Sequence, residues 1–144
     1  MTSGPVVLDS DTLSELSRGH PRVRERAHAY LTRHGRLTIT AVSVYERLRG
    51  YRAVLAEGKP YERELQQFEL FVAASIVLPF DSAAADQSAA IWAALGRKQR
   101  QAFDDILIAG IAVAHRLPLV TRNRRDFEPM MKLDLGLTLL DWTK

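Results

Sequence analysis

Short apolar runs alternating with helix-length stretches make this chain an α/β protein, a three-layer α/β/α sandwich with a mostly parallel central sheet, and three observations predict it. The runs at 5–9, 36–40, 75–80 and 117–121 are strand-sized and β-rich, and the first three are each followed by a helical pattern, as right-handed crossovers require. The stretch from Asp104 carries Ile106, Leu107, Ile108, Ala109, Ile111, Ala112 and Val113 around nearly its whole circumference. A helix apolar on every side needs a layer on every side. Finally, acids recur where strands end, the edge at which parallel sheets gather ligands.

Each element has its own signal. The run 5–9 ends on Asp9 and reads as a buried strand, and Thr12-Leu13-Ser14-Glu15 has the spacing of a capping box, so a helix is expected to start there. Gly19 and Pro21 separate it from a second helix over 22–34, which Gly35 ends. After the strand 36–40 comes a helix with Val42, Tyr45, Leu48, Tyr51, Val54 and Leu55, and with Glu46 near its start. Gly58 and Pro60 break it, and a helix over 61–74 with Leu65, Phe68, Leu70, Phe71 and Val72 completes a hairpin. A third strand, 75–80, precedes an alanine-rich helix from Ser82 to about Lys98 with Trp92 and Leu95 as its bulky contacts. His115, Arg116 and Pro118 stop the central helix, 117–121 reads as an interior parallel strand, 121–127 as a polar loop, and 137–140 as a last edge strand.

At 144 residues and 47% hydrophobic composition the chain is expected to form a single domain over 1–144. It has no cysteine, which excludes disulfides, thiolate metal sites and cysteine nucleophiles. Any metal must bind through oxygen or histidine. No apolar run approaches the roughly 20 residues of a membrane span, and no basic segment leads into a signal core, so a cytoplasmic protein without a membrane partner is expected. The net charge of +3 is modest, but arginines gather around 22–26, 47–52, 97–100 and 122–125. Basic segments surrounding acids suggest a polyanion held near a metal.

Asp9 ends the first strand, Glu46 lies just beyond the second, Asp105 opens the core helix and Asp126 follows a later strand. Four acids are thereby sent to one sheet edge. Converging carboxylates repel unless cations offset them, and hard oxygen ligands suit Mg²⁺ or Mn²⁺. Such ions ionise a water and stabilise a phosphodiester during in-line displacement. Taken singly, Asp9 and Asp126 also fit turn acids, Glu46 an exposed helix acid, and Asp104 or Asp105 an N-cap.

V-V-L-D-S-D-T-L-S-E-L, V-S-V-Y-E-R-L-R-G and D-D-I-L-I-A-G-I-A-V-A-H-R-L-P-L-V-T-R-N-R-R-D-F, in this order, resemble a PIN-domain ribonuclease, and within that family a VapC-type toxin. The resemblance covers most of the chain. It implies a Mg²⁺ or Mn²⁺ site that cleaves RNA, with Asp9, Glu46, Asp105 and Asp126 as catalytic, metal-holding acids. It also implies a homodimer and inhibition by a VapB-type antitoxin. Asp105 is selected over Asp104 by the D-x-x-I-A spacing through Ile108 and Ala109.

Around these acids, Ser10, Asp11, Asp104, Thr121 and Asn123 are candidates to support the ligands, and Arg122, Arg124 and Arg125 to bind substrate. Asp11 departs from the family, which usually has a neutral amide there. Tyr45, Leu48, Tyr51, Leu65 and Phe68 supply more apolar surface than one small sheet covers, so part of the helical hairpin is expected to bind another chain, which the resemblance implies is the antitoxin. Two rivals remain. Asp9-Ser10-Asp11-Thr12-Leu13 also fits the start of a haloacid-dehalogenase-type phosphatase with Asp9 as nucleophile, although no strand precedes Asp104-Asp105 as that family needs. The other rival is a PIN-like module that binds RNA or protein without turnover.

Overall fold

The computed structural model describes residues 4–144. Within them the order is β1 (Val7–Leu8), α1 (Ser10–Ser17), α2 (Pro21–His34), β2 (Thr38–Thr40), α3 (Ala41–Ala56), α4 (Glu62–Ala73), β3 (Ile76–Leu78), α5 (Ser82–Ala94), α6 (Phe103–Ala114), β4 (Leu119–Val120), α7 (Arg124–Met131) and β5 (Leu139–Leu140). A 3-10 turn, Gln99–Gln101, links α5 to α6.

Every strand pairing is parallel. β4 lies between β1 and β5, with Val7 opposite Leu119 and Leu119 opposite Leu139, while β2 pairs with β3 and runs beside β1. Side chains alternate across the strands and divide the core in two. Val7, Leu119 and Leu139 join α5, α6 and α7 on one face, and Leu8, Val120 and Leu140 join α1 and α2 on the other. The three layers follow from that alternation.

The central helix is pressed hard against its neighbour. Ile106, Ile108, Ala109, Gly110, Ile111 and Ala112 are all buried, and a methyl group on Gly110 would overlap Ser88 Oγ and approach the Ala84 carbonyl oxygen to 2.9 Å. Ser88 Oγ also donates to the Ile106 carbonyl at 3.3 Å. Glycine is therefore what lets α5 and α6 touch backbone to backbone.

Three expectations are corrected. The first helix starts at Ser10, because Asp9 Oδ1 accepts from the Thr12 N–H at 2.8 Å and takes the capping position assigned to Thr12. Residues 124–131 are a helix rather than part of a loop, since Phe127 and Met130, one turn apart, are buried in the core and draw the polar segment into register. Pro129 lies inside this helix and removes one of its backbone donors. The alanine-rich helix ends at Ala94, where Leu95 turns extended to reach the core.

Candidate active site

The carboxyl ends of β1, β2 and β4 lead directly into α1, α3 and the turn before α7, so each delivers a polar residue to the same edge. Asp9 follows β1 and is 2% exposed. Burial raises its pKa to about 6, against the opposing pull of hydrogen bonds from the Thr121 hydroxyl and from Thr12, with Asp11 adding a further small push upward. Thr121 is itself fixed, because its Oγ1 accepts from the Asn123 N–H at 2.9 Å. Thr121 and Asn123 thus form one turn that supports Asp9 from the β4 side.

Asp105 enters from the first turn of α6. Burial raises its carboxyl to about 7, and the negative charges of Asp126, Asp9, Glu46 and Asp104 add to the rise in that order. The charges of the other three acids expected at the site thus all reach Asp105. Asp126, on the first turn of α7, is exposed and bonded to Asn123 Nδ2 at 2.8 Å.

Glu46 projects from the second turn of α3, which Thr40 caps through Ser43 N. Its carboxyl is raised by burial, lowered by the Ser10 hydroxyl, and raised again by a hydrogen bond with Asp104. Asp104 also meets Arg49 at 3.5 Å. A cavity of about 270 Å³ lined by Glu46, Phe103, Asp104 and Asp105 opens at this point. The extra acid beside Asp105 therefore faces the site rather than merely capping a helix.

Among the described residues, no three acidic or histidine side chains already stand as a metal cage. The donor set nevertheless fits a divalent cation: buried carboxylates whose pKa is raised by burial and by neighbouring acids gain most from a neighbouring positive charge.

Other residues are placed differently from expectation. Arg122 turns back toward α1, with Nε 3.4 Å from Asp11 and Nη1 3.5 Å from Glu15, so it is an intramolecular partner of the acid that departs from the family pattern. Arg124 and Arg125 remain exposed on α7. The hairpin surface splits in two. Tyr51 packs on Phe68 at 5.9 Å, Phe68 stacks on Phe71 at 6.3 Å, and these rings with Leu13, Leu16 and Arg47 line a groove of about 350 Å³. Phe68 is only 6% exposed and forms the floor of that groove, while Leu48 and Leu65 are half-buried. Tyr45 belongs to another surface, 57% exposed, with the Arg49 guanidinium 5.0 Å above its ring.

Sequence reasoning missed Ser43, which is fully buried and bonded to Ser10 at 2.9 Å and to Thr40 at 3.3 Å. A serine three residues before a site glutamate on the same helix was the available signal.

Comparison with known proteins adds three findings. The family model described as PIN domain matches residues 6–130. The chain is 35% identical over 123 residues to the tRNA(fMet)-specific endonuclease VapC of Shigella flexneri, covering 84% of each sequence, and 31% identical over 138 residues to that of Salmonella typhimurium, covering 94% and 96%. Its fold superposes on the crystal structure of DNA-bound VapBC from Salmonella typhimurium with a TM-score of 0.79 and 31% identity, over 96% of this chain and 98% of the other.

Proposed function

Because this chain belongs to the PIN-domain family, in its VapC branch, we propose that it is a Mg²⁺- or Mn²⁺-dependent endoribonuclease and the toxin of a type II toxin–antitoxin pair. The observation that carries this reading is the convergence on Asp105 of the charges of Asp9, Glu46 and Asp126. The VapC relatives make initiator tRNA the first substrate to try.

Asp9, Glu46, Asp105 and Asp126 would hold the ion, with Asp104 beside them. When bound, the ion lowers the pKa of water and offsets charge building on the phosphodiester. The protein's part is to position the donors. Thr121 and the first turn of α1 orient Asp9, Ser10 orients Glu46, and Asn123 orients Asp126. Arg124 and Arg125, exposed beside Asp126, are placed to meet backbone phosphates.

The groove between α1, α3 and α4 suits an apolar antitoxin segment, and we read the active form as a cytoplasmic homodimer built from one domain per chain. No helix is long and apolar enough to cross a membrane among the described residues. The phosphatase reading loses its second acid, because Asp11 pairs with Arg122.

The test is cleavage of initiator tRNA and total tRNA in Mg²⁺ or Mn²⁺ with the new ends mapped. A 5′-phosphate and a 3′-hydroxyl are expected, with loss of cleavage in EDTA and in Asp9→Asn and Asp105→Asn. Cleavage that persists in EDTA, or ends in a 2′,3′-cyclic phosphate, would overturn the mechanism. Folded protein that binds RNA but never cleaves it would leave the non-catalytic module.

A further inference from the structure

Two exposed aromatic side chains flank the acids. Tyr45 immediately precedes Glu46 and Phe103 immediately precedes Asp104, and both are 57% exposed. Together with Phe80, Leu107 and Val42 they line a cavity of about 470 Å³. That cavity shares Phe103 and Asp104 with the smaller one that holds Glu46 and Asp105. The aromatic surface is therefore an extension of the acid site.

We propose that this cavity is a nucleobase subsite, in which a base next to the scissile phosphate stacks on Phe103 and Tyr45. The inference rests on the ribonuclease reading and adds to it where the substrate's bases go. Two features favour a base over a second copy of this chain. A phosphate at the acids places its neighbouring nucleotide beside the shared wall formed by Phe103 and Asp104. Arg49 lies over the Tyr45 ring and reaches Asp104 at 3.5 Å, so the stacking faces come with a donor and an acceptor for a base edge. Stacking of this kind tolerates any base but favours the larger π-face, so purines should be held better than pyrimidines.

The test uses the Asp105→Asn chain, which holds RNA uncut, and three fluorescein-labelled twelve-nucleotide probes: oligo(A), oligo(U) and an abasic ribose-phosphate chain of the same charge. Tyr45→Leu and Phe103→Leu keep an apolar side chain but remove the ring, and melting temperature controls for folding. Each is expected to weaken oligo(A) binding by about fivefold or more, oligo(U) by less, and the abasic chain not at all. Equal loss on all three probes, or no loss where the parent binds RNA and the wild type cleaves it, would overturn the subsite and leave the ribonuclease reading standing. So would conversion of a dimer to a monomer by either variant in sedimentation equilibrium, which would give the patch to a second copy. Absence of both RNA binding and cleavage in the wild type would remove the two readings together.

Discussion

The Ser10 hydroxyl bridges α1 and α3 by donating to Glu46 Oε1 at 2.5 Å, and this bond fixes the direction of a longer chain. Ser10 has one proton, so its 2.9 Å contact with Ser43 must be one in which Ser43 donates. Thr40 in turn donates to Ser43 at 3.3 Å. Every hydroxyl proton from Thr40 onward therefore points toward one carboxylate.

Ser43→Ala should consequently loosen Glu46 without unfolding α3, whose cap is Thr40. We expect Mn²⁺ affinity, read by calorimetry, to fall about tenfold, the lower end for loss of a group supporting a ligand. Ser43→Thr should retain most of it. An unchanged dissociation constant in Ser43→Ala would show that the chain does not position Glu46.

Without a divalent cation, stability should fall as pH rises from about 4 to 7. Asp9 and Asp105 have folded pKa values raised to about 6 and about 7 from 3.8, so the folded state holds the extra protons, and that advantage is complete below the unfolded value and lost through the folded one. For buried Asp9 the shift corresponds to roughly 3 kcal/mol. Asp9→Asn, which retains the helix cap, should flatten this slope in chemical denaturation. Adding Mg²⁺ at 100 times its dissociation constant should restore about 2.7 kcal/mol to the wild type and little to the variant. A slope of the opposite sign would mean that the acids are not buried together.

Gly110→Ala should destabilise the protein by about 1 to 3 kcal/mol, because the new methyl overlaps Ser88 Oγ. The double variant Gly110→Ala, Ser88→Gly should recover part of that loss in thermal melts. A single variant as stable as wild type would show that α5 and α6 can move apart freely.

The groove predicts a partner through residues that differ in accessibility. Tyr51→Asp, at the wall, should abolish capture of a VapB-type antitoxin while leaving the fold intact. Tyr45→Asp, on the other surface, should not. Capture lost only in Tyr45→Asp would move the antitoxin away from this groove.

The alternation of short apolar runs with amphipathic stretches made the layers and the parallel sheet readable, since periodicity reports burial directly. Asp9, Glu46, Asp105 and Asp126 could be nominated because strand ends fix where the following residue goes. What stayed hidden were choices between competing local signals. Thr12 was expected to cap the first helix, yet Asp9 does so, because Thr12's hydroxyl is taken by the Val120 carbonyl at 2.9 Å. The helix over 124–131 was masked by two arginines, two acids and a proline, although Phe127 and Met130 already carried its spacing. Tyr45 and Tyr51 lie on one helix, but their rings meet different neighbours, and only the packing of α4 and α6 separates them.

The pairing of β1 with β4 joins the two ends of the polypeptide. Thr12 reaches Val120 across 108 positions, and Asp9 leans on Thr121 from the same distant strand. During synthesis the first of the four acids leaves the ribosome long before its supports exist. Until β4 has emerged, Asp9 lacks both its β4 neighbour and the threonine that orients it, and Asp126 has not yet left the tunnel. Competence is acquired last: the groove lined by residues from Leu13 to Phe71 is complete in the growing chain before the four acids have met one another.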